Sequence, residues 1–263
     1  MTRHARRQSA SGIYHIMIRG NERKNIFLCD EDKDRFLEVL QRMKEEENYL
    51  LYAYCLMDNH VHLLIGERKD SIQRLMKRIC VSYVYYFNKR YKRVGHLFQD
   101  RYRSEVVEEE GYILAATRYI HNNPVEAGIV RNVEDYKWSS YHQYINPWKD
   151  KMIDRELILS LISDQEERAI EGFINYSAEI AEETFIGAKE ESTINRRQDK
   201  DEDLKEQIHV TLQKYRHTLE SFKQCKDKSL RNEIIKLIKW TTKASVRELA
   251  KELGISKDII FRA

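Results

Sequence analysis

The apolar positions along the chain change period several times, and each change marks an element. Ile13 to Arg19 alternates and is rich in β-formers, which predicts a first strand. Arg19-Gly20-Asn21 follows as a turn signal. From Asp30 to Glu47 the residues Phe36, Leu37, Val39, Leu40 and Met43 recur at helical spacing, behind an acidic first turn that suits the positive end of a helix. Leu50 to Met57 predicts a second strand, which Asp58-Asn59 turns into a third at His60 to Ile65. So tight a link implies an antiparallel hairpin. Ser71 to Tyr91 is a long helical pattern with Ile72, Leu75, Met76, Ile79, Val84 and Phe87 among its apolar positions. Gly95 breaks the chain, and Ser104 to Val107 predicts a short strand. Glu110 to Asn122 predicts a helix that stops ahead of Pro124, because the residue before a proline resists the α conformation. The order β-α-β-β-α-β-α predicts an α+β fold. We expect a ferredoxin-like sandwich, its central antiparallel sheet covered by helices on one face.

Beyond this point the pattern weakens. Val130 to Asn146 carries Tyr136, Trp138, Tyr141 and Tyr144 and predicts irregular structure or a short helix. Arg155 to Tyr176 is weakly helical, and Glu179 to Asp203 is polar apart from Phe185 and Ile186, which predicts a linker. Helical spacing returns at Leu204 and runs to the end. The chain therefore divides into 1–150, a helical extension and linker over 151–203, and a helical domain over 204–263. Ser245 to Ala263 has the pattern of a helix-turn-helix, with Ala250 at the small position, Gly254 at the turn and Ile260 at the apolar position. Its second helix would start at Ser256 and either dock in a major groove or join a small protein-interaction bundle.

Composition narrows the class. Of 263 residues, 41% are hydrophobic, enough for a packed core, and the net charge of +3 does not by itself force a nucleic-acid partner. The distribution says more: Arg74, Lys77, Arg78, Lys89, Arg90, Lys92, Arg93, Arg101 and Arg103 face a single acid, Asp100, in that stretch. A basic arm with Arg3, Arg6 and Arg7 precedes the first strand. Cys29, Cys55, Cys80 and Cys225 are scattered with no C-x-x-C, which fits a reducing compartment and excludes a zinc ribbon or disulfide framework. No apolar run approaches the roughly 20 residues that span a bilayer, and the basic N-terminus lacks the apolar core of a signal peptide. These features predict a soluble, cytoplasmic protein with no membrane partner.

Candidate chemistry sits in the third strand. His60 and His62 are two apart, so their imidazoles share one face while Val61 turns away. Tyr119 and Asn123 are four apart on a predicted helix and also share a face. Two imidazoles and a carboxamide oxygen, with water completing the set, suit a hard divalent cation such as Mg2+ or Mn2+. A cation there would polarise a phosphate attacked by a tyrosine, whose unperturbed pKa near ~10 makes it a poor nucleophile unaided. The ligand set is too hard for a zinc-stabilised structural domain. From the residues alone Tyr119 remains one candidate among several, since the chain has 16 tyrosines and Tyr83, Tyr85, Tyr86, Tyr91, Tyr102 and Tyr112 lie near the basic stretch.

Several blocks in order carry a resemblance. They are Tyr14 to Asn21, Met57 to Leu64, Tyr86 to Tyr91, Gly95 to Ser104, Arg118 to Val130 and Trp138 to Tyr141. Together they resemble the HUH-type single-tyrosine transposases, above all the REP-associated tyrosine transposases, relatives of the IS200-like enzymes. The resemblance implies that His60, His62 and Asn123 hold the metal and that Tyr119 is the nucleophile. It also implies that the substrate is single-stranded DNA with hairpin-forming repeats, cleaved to a 5′-phosphotyrosine and a free 3′-OH. Asp58 departs from the family, which usually has proline there; it would either cap the hairpin turn or touch the metal shell. Arg3, Arg6, Arg7, Arg19, Arg74, Lys77, Arg78, Lys89, Arg90, Arg101 and Arg103 are the expected DNA contacts, with interleaved aromatics mostly packed inward. The C-terminal module would add duplex DNA as a partner, and the protein would act as a monomer or homodimer. The alternative is a domesticated relative that binds such repeats or regulates transcription without cutting.

Overall fold

A computed structural model describes residues 7–47, 49–146, 152–179, 185–186, 204–225, 227–242 and 244–263. Arg3 and Arg6 lie outside the described residues. The chain forms two compact units, Met1–Lys189 and Glu190–Ala263.

The first unit is built on four antiparallel strands. These are β1 (Ile13–Arg19), β2 (Leu50–Met57), β3 (His60–Gly66) and β4 (Arg103–Val106), arranged in the order β2-β3-β1-β4. Two helices connect them, α1 (Asp30–Glu47) between β1 and β2, and α2 (Ile72–Arg90) between β3 and β4. Register fixes which side chains share a face. Tyr14, Ile16 and Ile18 lie opposite Ile65, Leu63 and Val61, an all-apolar face. His15, Met17 and Arg19 lie opposite Leu64, His62 and His60, so the polar residues of the central strands gather on the other face. On the apolar side α1 packs along α2, and Phe27, Phe36 and Tyr83 form a ring cluster with centroids 5.1–5.6 Å apart.

The sheet is covered on both faces, not one. Every residue of β3 is buried, so both of its faces need cover. A third long helix, α3 (Glu110–Glu126), supplies it by packing on β2 and β3. That helix also runs through Pro124 instead of stopping ahead of it. Pro124 sits in the last turn, where only one amide donor is lost, and the Ala127 N–H closes the end on Asn123 and Val125 carbonyls. Buried contacts of the pre-proline residue Asn123 override its local preference. After α3 the chain returns along the outer edge of β2, where Leu56 N–H donates to Trp138 O and Ser140 N–H donates to Tyr54 O. Among the described residues α4 (Tyr141–Ile145), α5 (Glu156–Ser160) and α6 (Glu166–Ala178) then follow, with Tyr144 stacked on Phe173 at 4.4 Å.

The second unit is helical, with α7 (204–214), α8 (Leu219–Lys223), α9 (Lys228–Thr242), α10 (Val246–Leu253) and α11 (Lys257–Arg262). Its core holds Leu212, Phe222, Ile234, Ile238, Leu249, Leu253 and Ile260. Ser245 and Glu248 cap α10 reciprocally, and Gly254 ends it at φ +63°, a conformation that a side chain would strain. All four cysteines are free, and among the described residues no helix is long and apolar enough to cross a membrane.

Candidate metal and nucleophile site

The polar face of the sheet and the inward face of α3 meet at one place. His60 Nε2 and Asn123 Oδ1 are 3.2 Å apart, with both residues buried. The rings of His60 and His62 are perpendicular, with centroids 5.1 Å apart. Tyr119, one helical turn before Asn123, places its ring edge-on to His62 at 5.5 Å and to His15 at 5.8 Å. The four residues expected to converge are thus neighbours, brought together from β3 and α3.

Each histidine is oriented through its second nitrogen. His60 Nδ1 lies 2.5 Å from Asn59 Oδ1, which can only accept, so Nδ1 carries the hydrogen and Nε2 keeps its lone pair. His62 Nδ1 lies 2.9 Å from His15 Nε2. In this arrangement His60 Nε2 and Asn123 Oδ1 are two acceptors facing each other. Adjacent ligands of an octahedral cation with bonds of ~2.1 Å are about 3 Å apart, so the spacing of His60 Nε2 and Asn123 Oδ1 is that of two neighbouring ligands of such a cation. Among the described residues no three His, Cys, Asp or Glu side chains converge as a metal cluster, so a cation here depends on the carboxamide oxygen and on water.

Asn59, His15, Glu105 and Phe185 join the site without having been singled out by the sequence. Phe185 falls in a stretch whose polarity predicts a linker, yet it is buried and stacks on Tyr119 at 4.9 Å, with Tyr112 against its ring at 5.0 Å. Its size and apolarity amid polar neighbours are the signal that could have found it. Asp58 turns away from the histidines. Its carboxylate pairs with Lys33 of α1 at 2.7 Å, and its carbonyl accepts from Ile26 and Phe27 N–H, so it anchors the hairpin turn.

The expected DNA contacts divide into three groups. Arg74, Arg78 and Arg90 are engaged within the protein, with Asp70 at 3.3 Å, Glu46 at 2.5 Å and the Tyr86 hydroxyl at 2.7 Å respectively. Arg19, Arg101 and Arg103 line a hollow of about 140 Å³ beside Met17, which lies opposite His62 in the sheet. Lys77 lines a larger groove of about 660 Å³ between α2 and the 95–102 loop, and the two hollows share Gln99, Asp100 and Arg101. Lys89 continues the groove side of α2 beside Tyr85, and Arg7 is exposed ahead of β1. The aromatics point inward as expected: Tyr83, Phe87 and Tyr102 are buried, and Tyr86 and Tyr91 donate to buried Asp32. Tyr85 is the exposed one.

The site thus combines paired histidines on a middle strand of a four-stranded antiparallel sheet with a tyrosine on the helix packed against them. Residues 8–123 match the family model described as IS200-like transposases. The matched stretch contains His60, His62, Tyr119 and Asn123. The chain is 24% identical over 159 residues to a Haemophilus influenzae protein described as a REP-associated tyrosine transposase, covering 54% of this chain and 87% of that relative. Among solved structures it is similar to a REP-associated tyrosine transposase bound to a REP hairpin, with TM-score 0.49, 16% identity and coverage of 60% and 96% of the two chains. A second similar structure, described as a transposase of Deinococcus radiodurans, has TM-score 0.33 and 21% identity, covering 42% and 89%.

Proposed function

We propose that this chain cleaves and rejoins single-stranded, hairpin-forming repeat DNA through Tyr119, on a ferredoxin-like sandwich. The observation that carries this reading is the convergence of His60, His62, Asn123 and Tyr119, with His60 Nε2 and Asn123 Oδ1 3.2 Å apart. The repeat substrate is taken from the family and from the similarity to REP-associated enzymes. His60, His62 and Asn123 would hold Mg2+ or Mn2+. A bound divalent cation supplies charge neutralisation at the scissile phosphate and favours the phenolate. Tyr119 Oη attacks phosphorus and gives up its proton to solvent. The bond from phosphorus to the 3′-oxygen breaks, and that oxygen leaves as a 3′-OH. The 5′-phosphate stays on Tyr119, so attack by another 3′-OH rejoins the strand without an external energy source. Arg19, Arg101 and Arg103, around the small hollow beside Met17, would hold flanking phosphates. The paired helices α10 and α11 would dock on duplex DNA as a helix-turn-helix.

The test is a covalent adduct. Labelled single-stranded hairpin DNA is incubated with the protein and Mn2+ and resolved on a denaturing gel. Wild type and Tyr112→Phe give a shifted band, and Tyr119→Phe gives none. A band that persists in Tyr119→Phe refutes the assignment. DNA binding with no adduct under any metal condition favours a non-cleaving repeat-binding protein.

A further inference from the structure

The proposed reaction gives no role to a third histidine at the site. His15 is fully buried on β1, on the same sheet face as His60 and His62. Its Nε2 is 2.9 Å from His62 Nδ1, and its Nδ1 is 4.0 Å from Oε2 of Glu105, which lies opposite it on β4. A neutral imidazole has one nitrogen that donates and one that accepts. Only two arrangements of hydrogens satisfy the short contact between the rings. In one, His15 Nε2–H donates to His62 Nδ1. That leaves the His15 Nδ1 lone pair facing the Glu105 carboxylate, and it puts the remaining His62 hydrogen on Nε2, where a cation cannot bind. In the other, His62 Nδ1–H donates to His15 Nε2, His15 Nδ1–H faces the Glu105 carboxylate, and His62 Nε2 is left with its lone pair. The carboxylate favours the second arrangement.

We infer that His15, backed by Glu105, is a positioning residue that fixes the tautomer and ring plane of His62 so that Nε2 is presented to a divalent cation. The Glu105 carboxylate, beyond hydrogen-bond reach of His15 Nδ1, biases that ring through its charge, and the His15–His62 contact passes the bias on to the metal-binding histidine, as outer carboxylates do for such ligands. His60 has a shorter support of the same kind, the adjacent Asn59 side chain. Packing strengthens the constraint on His62. The Tyr119 ring is edge-on to both His15 and His62, at interplanar angles of 70° and 90°, so a rotation of His62 would disturb the wall on which the nucleophile rests. The inference rests on the metal-dependent reading given above.

Two measurements on the full chain without DNA test it. Long-range proton–nitrogen correlation spectra of the histidine rings read the tautomer in the metal-free protein, and Mn2+ titration followed by the paramagnetic signal of the free ion reads affinity. Wild type should show His62 with its hydrogen on Nδ1. His15→Leu removes the acceptor, should move that hydrogen towards Nε2, and should weaken Mn2+ binding by about 10–100-fold. His15→Gln can still accept through its carbonyl and should bind within about threefold of wild type. Thermal melts check folding, and if His15→Leu does not fold, Glu105→Gln takes its place with an expected loss of about 3–10-fold. The inference is overturned if a folded His15→Leu binds Mn2+ as tightly as wild type, if His15→Gln is as weak as His15→Leu, or if wild-type His62 carries its hydrogen on Nε2. A wild-type chain that binds no Mn2+, yet changes the His62 tautomer on His15→Leu, overturns the metal reading and supports the coupling between the two histidines.

Discussion

His121 makes the first unit sensitive to acid, and the size of the effect follows from its surroundings. The ring lies on α3 between Tyr119 and Asn123 but faces the core, with no exposed surface. Nε2 is 2.8 Å from Ser140 Oγ, and Tyr141, Tyr144 and Phe173 surround it with centroids 5.4–5.9 Å away. Burial, followed by the nearby His142, lowers its pKa from 6.5 to about 3. The folded chain therefore keeps His121 neutral, while the unfolded chain takes up a proton below pH ~6.5. Stability is full above that pH and is lost as pH falls towards 3. With each tenfold step of proton binding worth ~1.4 kcal/mol, the whole window amounts to about 5 kcal/mol, of which roughly 2 kcal/mol is lost between pH 7 and pH 5. The perturbation is His121→Gln, which keeps a polar partner for Ser140 but cannot titrate. Urea unfolding is followed by tryptophan fluorescence in a Trp240→Phe background, so that the signal comes from the first unit. At pH 7 the variant should be less stable by about 1–3 kcal/mol. On going to pH 5 it should lose about 2 kcal/mol less than its parent, because other titrating groups act equally in both proteins. Parallel losses, within about 0.5 kcal/mol, would refute the argument.

Two further outcomes separate structural from functional charges. Asp58→Ala strips the partner from Lys33, which is only 7% exposed and lies 5.6 Å from the centroid of the Trp138 ring, so it should cost about 1–2 kcal/mol of stability and leave Mn2+ affinity unchanged. A tenfold loss of affinity would instead put Asp58 in the metal shell. For DNA binding, replacing Lys77 and Lys89 together with Ala should reduce the slope of log affinity against log salt by roughly 1–2. Replacing Arg74 and Arg78, whose charges are paired with Asp70 and Glu46, should change it by less than half as much. Equal changes would mean that those ion pairs open on the DNA.

The sequence by itself determined the local geometry. The periods of Ile13–Arg19, Asp30–Glu47 and Leu50–Met57 match the structural boundaries of β1, α1 and β2, because each is a strong amphipathic or buried run. Spacings of two on a strand and four on a helix were enough to put His60 with His62 and Tyr119 with Asn123, since those periodicities belong to the backbone. Long-range contacts were decided elsewhere. That the two pairs face each other depends on α3 crossing β2 and β3, and this in turn carried the helix through Pro124 against the local preference of Asn123. Strand register, not spacing, brought His15 and Glu105 alongside His62. Phe185 reads as part of a polar linker until tertiary packing lays it on Tyr119. Local periodicity fixes which side chains share a face, and only the packing of distant segments fixes what that face meets.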